Sequence, residues 1–154
     1  MPVLLESVEA DSPALWALAE EARAEGYEHI DRMVERWRAD LNRFNKAGEL
    51  LLAARRGSEV VGVGGLSIDP YLSDPEIGRI RHVYVRKHAR RIGVGQALLK
   101  KLLSAANGSF KTVRVRAAAR GGAPEFYDAV GFTRINAEDA SHIWRCAAVD
   151  AGRR

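Results

Sequence analysis

Val83-Tyr84-Val85-Arg86-Lys87-His88-Ala89-Arg90-Arg91-Ile92-Gly93-Val94-Gly95-Gln96 is the stretch on which the reading of this chain turns. Val83-Tyr84-Val85 has the β-branched and aromatic character of a strand, and it delivers the chain to a tight turn. Gly93 and Gly95 then let the backbone approach a ligand closely. A helix opens there, with its unpaired N–H groups and the positive end of its dipole facing one point. Phosphate is the ligand such a terminus prefers. Arg90 and Arg91 add mobile positive charge beside it. Two common phosphate-binding patterns do not fit. A P-loop needs Gly-Lys-Ser/Thr, whereas Gly95 is followed by Gln96-Ala97. A dinucleotide fingerprint needs a third glycine where Leu98 stands and an acid further on, and Val113 to Arg120 holds no acid.

Working outward, Glu76 to Val85 reads as one long strand. The helix beyond it carries Val94, Leu98, Leu102 and Ala105 on its apolar face, with Leu99 and Leu103 beside them, and Asn107-Gly108 ends it. Thr112 to Ala117 alternates, with Val113, Val115 and Ala117 on one side and Arg114 and Arg116 on the other. Ala123 to Val130 is a short helix ending at Gly131, and Phe132–Asn136 and His142–Ala147 are two final strands. Toward the N-terminus, Leu50–Arg55 and Val60–Ser67 form a hairpin around a polar break. Before them, Val3 to Val8 is a first strand. Ser12-Pro13 starts a helix with the stripe Leu15, Leu18, Ala19 and Ala22, and Gly26 ends it. A second helix follows Asp31, with Val34, Trp37, Leu41 and Phe44 at helical spacing and Gly48 closing it. The order β-α-α-β-β-β-α-β-α-β-β predicts one α/β domain over residues 1–154 with a mixed sheet.

Composition narrows the function classes. Apolar residues make up 47% and charged residues 29%, as in an ordinary globular domain. No apolar run approaches the roughly 20 residues of a bilayer span. No secretory leader is evident and Cys146 is the one cysteine, so neither a disulfide framework nor an oxidising compartment is expected. A cytoplasmic location, without membrane contact, is the expectation. The formal charge is +4, and Arg79, Arg81, Arg86, Lys87, Arg90 and Arg91 follow one another with no acid between them. Such a field gathers anions. It would also suit nucleic acid, although none is expected as a partner. No His/Cys/Asp cluster has metal-ligand spacing, so no metal site is expected.

Arg90-x-x-Gly93-x-Gly95 after a strand closely resembles the pyrophosphate-binding motif of the GNAT superfamily of N-acetyltransferases. A second stretch, Ala123-Pro124-Glu125-Phe126-Tyr127-Asp128-Ala129-Val130-Gly131-Phe132, is similar to that family's A-x-x-F-Y-x-x-x-G-F signature. The resemblance covers nearly the whole chain. It implies a mixed, mostly antiparallel sheet splayed at the coenzyme site, about four flanking helices, and acetyl-CoA as co-substrate. It also implies roles. Val83, Tyr84 and Val85 would present the strand along which the pantetheine arm lies, in the manner of an added strand. Arg90, Arg91, Ile92, Gly93, Val94, Gly95 and Gln96 would wrap the diphosphate. Tyr127 would protonate or hydrogen-bond the departing thiolate, for which a phenol with a pKa near 10 is a suitable acid. Homodimers are common in the family, and nothing in the sequence fixes one here.

The sequence departs from the family in two places. Counting back from Arg90, the glutamate of histone-type members falls at Arg79. Glu76 and His82 are then the candidates for the base, with a water relay as the alternative. Arg120 stands where many members place an asparagine near the coenzyme, and an arginine there suits a phosphate. Blander readings remain open for each residue. They are Tyr127 as packing for the short helix, Glu76 as a solvated strand-end acid, and His82 as a packed or surface imidazole. Trp16, Trp37 and Trp144 fall on apolar patterns that predict core, and Cys146 reads as a structural thiol. The arginine pairs Arg79/Arg81 and Arg114/Arg116 favour an acidic acceptor if their faces meet a groove; otherwise they form a solvated face or a dimer rim. The expected activity is acetyl transfer to a primary amine of a small molecule. A protein or peptide acetyltransferase, a non-catalytic acyl-CoA sensor and a nucleic-acid module are the alternatives.

Overall fold

The computed structural model describes residues 2–147. Strand β1 (Leu4–Ser7) leads through a 3-10 turn at Pro13–Leu15 into α1 (Trp16–Ala24) and α2 (His29–Arg38). Three strands follow, β2 (Leu50–Arg56), β3 (Glu59–Ile68) and β4 (Ile77–Val85). A second 3-10 turn, Lys87–Ala89, leads to α3 (Val94–Ala106), β5 (Thr112–Val115), α4 (Ala123–Val130), β6 (Thr133–Arg134) and β7 (His142–Arg145). The order matches the sequence expectation element for element.

The seven strands form one open sheet in the order β1-β2-β3-β4-β5-β7-β6. Every neighbouring pair is antiparallel except β4 and β5, which run parallel. The α3 face is packed by Leu98, Leu99 and Leu102, all fully buried, against Val61, Leu66, Ile80 and Val113. Each such leucine contributes about 1.5–3 kcal/mol through burial alone. On the opposite face, Leu15, Leu18 and Ala22 of the first helical segment and Ile30 and Met33 of α2 cover Leu51, Ala53 and Val63. The sheet is thus clad on both sides.

Two irregularities of β4 position the site. First, its pairing with β5 consists of Ile77↔Thr112, Gly78↔Val113 and Arg79↔Arg114, and the two strands then part. Second, Val63 and Gly65 of β3 oppose Tyr84 and Arg81, so β4 carries one residue too many between them. His82 takes up the excess with φ +60°, a left-handed conformation uncommon outside glycine. An extra residue bends a strand and re-aims its side chains. Arg79, Arg81 and His82 consequently face α2, whereas Ile80 and Val83 pack on the α3 side.

Three sequence expectations are corrected. The second helix does not run to Phe44. It stops at Arg38, where the Arg36 carbonyl takes the amides of both Leu41 (2.8 Å) and Asn42 (3.4 Å), and Asp40 turns to φ +59°. Leu41 is left exposed, while Phe44 doubles back to set its ring over Gly65 and edge-on to His82. Trp16, expected in the core, is 63% exposed on the first turn of α1. Arg79 and Arg114, readable as a solvated face, are buried.

Candidate active site

Between β4 and α3 the main chain forms an amide-lined cradle. Arg91 and Gly93 both adopt left-handed conformations, with φ +66° and +88°. They turn the chain so that Ala97 is the first amide to regain a main-chain acceptor, the Gly93 carbonyl at 3.0 Å. Among the described residues, the amides of Arg91 to Gln96 have no main-chain partner, and no side chain caps the helix. Six successive unpaired donors at a helix N-terminus are an arrangement suited to an anion. The two glycines serve different ends. A Cβ on Gly93 would meet nothing within 4 Å, so the space above it is open to a ligand. A Cβ on Gly95 would stand 3.3 Å from the Phe126 ring, so this glycine lets α4 press against the start of α3.

The flanking cations divide. Arg90 is held by the protein: its Nε donates to the Val85 carbonyl at 2.8 Å, its guanidinium closes on Glu25 at 2.5 Å, and it lies over the Tyr84 ring. Glu25 is held below the usual carboxylate range, first by that hydrogen bond from Arg90. The Tyr84 hydroxyl donates toward both Glu21 (2.8 Å) and Glu25, and Arg86 pairs with Glu21 and Glu59. These bonds tie the end of α1 to the rim of the cradle. Arg91 is exposed beside the open amides.

Where β5 leaves β4, the strand is open on one side. By ladder alternation, Arg86 turns its amide to Val61 of β3 (2.8 Å), whereas Val85 and Val83 turn their main-chain groups to the gap. Two of those groups are engaged. The Val85 carbonyl takes Arg90, and the Val83 carbonyl takes the His29 Nε2 at 3.1 Å. Tyr127 lies on the α3 side, 5% exposed, with its ring edge-on to Phe126 and Phe132 and tilted against His142. Burial pushes its phenol well above the ordinary tyrosine value, so it stays protonated through the neutral range.

On the α2 side, crowding lowers His82 to a pKa of about 3, chiefly through burial and then through the charge of Arg81. His29 is also lowered by burial. Both imidazoles are therefore neutral at physiological pH. Arg79 and Arg114, side by side in register, share the fully buried Asp69 at 3.4 and 3.3 Å. Asp139 completes the cluster: its carbonyl accepts from Arg79 at 2.6 Å and its carboxylate from Arg114.

The structure sets Val83, Tyr84 and Val85 just before the Arg90–Gln96 loop, and it buries Tyr127 on the α3 side beside Phe126, whose ring faces Gly95. It does not bring Glu76 to them. Glu76 sits before the first residue of β4, bonded to Lys111 at 2.6 Å. It is six residues short of His82, about 20 Å at roughly 3.3 Å per residue. Arg120 reaches instead across the opening, donating to the Glu25 carbonyl at 2.7 Å and stacking on Tyr27. Sequence reasoning missed His29 and Glu25. Both meet the site through contacts more than 50 residues apart in the chain, which no local pattern reports. Among the described residues no trio of His, Cys, Asp or Glu is placed to hold a metal, and no helix is long and apolar enough to cross a membrane.

A sheet parted at its one parallel pair, with a bare helix N-terminus at the mouth, defines an acyltransferase domain. Residues 18–144 match the family described as acetyltransferase (GNAT) domain, and the chain belongs to that family. Among similar solved structures, one from Exiguobacterium sp. 255-15, assigned to the acetyltransferases, is 28% identical with a TM-score of 0.82, each chain being covered over 94%. A phosphinothricin acetyltransferase from Sinorhizobium meliloti, solved with acetyl-CoA, is 17% identical with a TM-score of 0.74, covering 96% of this chain and 90% of its own. A GNAT acetyltransferase from Elizabethkingia anophelis with acetyl-CoA bound is 18% identical with a TM-score of 0.61, over 87% of this chain and 78% of its own.

Proposed function

We propose that this enzyme transfers an acetyl group from acetyl-CoA to a primary amine of a small molecule by direct attack. The observation that carries the reading is the run of unpaired amides from Arg91 to Gln96 beneath open space at Gly93. That cradle fits a diphosphate. From there the pantetheine arm follows the gap side of Val83–Val85, taking the place β5 vacates. The thioester then rests at the bulge, where main-chain donors polarise its carbonyl.

The two faces of the sheet divide the chemistry. The acceptor amine approaches from the α2 side and forms the new N–C bond as the C–S bond breaks. Tyr127, on the α3 side, donates a hydrogen bond to the departing sulfur, its raised pKa keeping the phenol neutral, and the released thiolate takes its proton from solvent. The proton of the attacking amine passes to His29, whose ring already touches the Val83 carbonyl and is kept neutral by burial. Glu76, one of the two bases considered from sequence alongside a water relay, pairs instead with Lys111.

Thiol release from acetyl-CoA, followed with a colorimetric reagent over a panel of primary amines, tests the reading. Amine-dependent release above the hydrolytic background is expected. A protein that binds CoA yet releases no thiol with any amine is a sensor, and the proposal fails. His29→Gln is expected to lower kcat by about 10–100-fold and to change the acid limb of the pH profile. Glu76→Gln is expected to leave both alone, and a large loss there returns the proton to Glu76.

A further inference from the structure

The α2 face of β4 carries positive charge that the protein does not neutralise. Arg79 and Arg114 are paired in charge with Asp69 and Asp139, although the Arg114 Nε, like that of Arg36, has no hydrogen-bond partner. Arg81, two residues along on the same face, is half-buried and makes no ion pair among the described residues. Arg36 of α2 lies near enough for its charge to act on Arg81, and its Nε is buried without a hydrogen-bond partner. The cluster therefore holds four guanidiniums, Arg36, Arg79, Arg81 and Arg114, against two carboxylates, an excess of two. Burial, followed by the fields of Arg36 and Arg79, works against Arg81's charge and lowers its pKa. A guanidinium stays protonated all the same. Withdrawing a cation from water without a counter-charge is unfavourable, and a ligand anion relieves it.

Position says what kind of ligand. Arg81 immediately precedes the bulge at His82, where the acyl-transfer reading above places the reacting carbonyl. A cleft of about 400 Å³, lined by Tyr71, Arg116, Glu138 and Asp139, adjoins the Arg79–Arg114 end of this cluster, with Arg79 stacked on its Tyr71 wall at 4.6 Å. We propose that Arg81 and Arg36 form an anion subsite for the acceptor, so that the acceptor is a small amino acid whose amine lies a few bonds from a carboxylate. A guanidinium fork matches a carboxylate in two parallel hydrogen bonds, which sets orientation as well as affinity. The acid anchors at Arg81, and the amine is left at the bulge.

The test pairs each amino acid with its own carboxamide, which removes the negative charge at nearly constant shape, and compares rates per free-base amine because the carboxamide also lowers the amine's pKa. For the wild-type protein, kcat/KM is expected to favour the acid by about 10–100-fold, mostly through KM. In Arg81→Gln the preference is expected to collapse, and in Arg81→Lys to return in part. Arg36→Gln is expected to reduce it. Equal use of acids and carboxamides by the wild type, or a preference that survives Arg81→Gln in a protein that still binds CoA, overturns the proposal.

A second measurement separates this inference from the reaction itself. N-acetylated amino acids and their amides are titrated calorimetrically into the CoA-saturated protein. Tighter binding of the acids, lost in Arg81→Gln, supports the subsite even if no amine is turned over, and in that case the transfer reading fails alone. Acids that bind no better than amides sink the subsite, whatever the activity.

Discussion

The guanidinium of Arg90 closes on the carboxylate of Glu25 at 2.5 Å, clamping the end of α1 against the diphosphate cradle. The first arginine of the family motif is thus a strut between elements in this structure. Its Nε bond to the Val85 carbonyl fixes the last turn of β4 at the same time. Its charge and the resemblance of its motif, read from sequence, assigned it to the ligand.

If the strut is a unit, its two ends are coupled. Arg90→Ala and Glu25→Gln are each expected to lower Tm by a few degrees. The double variant is expected to lose little more than either single one, because the second change removes an interaction already gone. Thermal melts of the four proteins measure this. Fully additive losses would mean that the two residues act independently.

Tyr127→Phe removes the phenol and keeps the ring against Phe126, Phe132 and His142. CoA affinity and Tm are expected to hold while kcat falls about 10–100-fold. Because burial raises the phenol, its ionisation is not expected to shape the rate below pH 10. Unchanged turnover would leave Tyr127 a packing residue.

The two cradle glycines are expected to fail differently. Gly93→Ala forces a side chain into φ +88°, a strain of about 1–2 kcal/mol, and sets a methyl in the open space proposed for the diphosphate. CoA affinity is expected to drop tenfold or more. Gly95→Ala instead pushes on the Phe126 ring 3.3 Å away, which shifts Tyr127. Its kcat is expected to fall more than its CoA affinity. Calorimetry and steady-state kinetics on the pair distinguish the two, and matching defects would refute the division.

His82 makes stability depend on pH. The unfolded imidazole titrates near 6.5 and the folded one at about 3, so between those values the unfolded chain binds a proton that the native state does not. The His82 contribution is complete above about pH 6.5 and is lost as pH falls toward 3, by on the order of 5 kcal/mol in all. Urea melts at pH 7, 5 and 4 are expected to show a shallower acid loss in His82→Asn, a residue that tolerates positive φ. Parallel slopes in the two proteins would place the acid sensitivity elsewhere.

Much of this was legible in the sequence because it is written locally. The helix Ala123–Val130 and the end of α3 at Asn107 follow from Gly131 and from Asn107-Gly108, and both are found where expected. The cradle was legible because glycine spacing and helix polarity are neighbours in the chain. What escaped is carried by contacts or by broken parity. Trp37, Leu41 and Phe44 keep helical spacing past the point where the Arg36 carbonyl ends α2, so periodicity overran the helix. The bulge shows as a slip in β4, since Arg79, Arg81 and Tyr84 share a face that strict alternation would divide. His29 reaches Val83 across 54 residues, and only the folded sheet brings them together.

The central claim concerns six main-chain amides, and nitrogen-proton correlation spectra observe them one by one. On titrating CoA into uniformly labelled protein, the resonances of Arg91 to Gln96 are expected to move first and farthest, downfield as they acquire phosphate acceptors. If CoA binds while those six stay in place and another segment responds, the diphosphate lies elsewhere and the reading of the cradle is wrong.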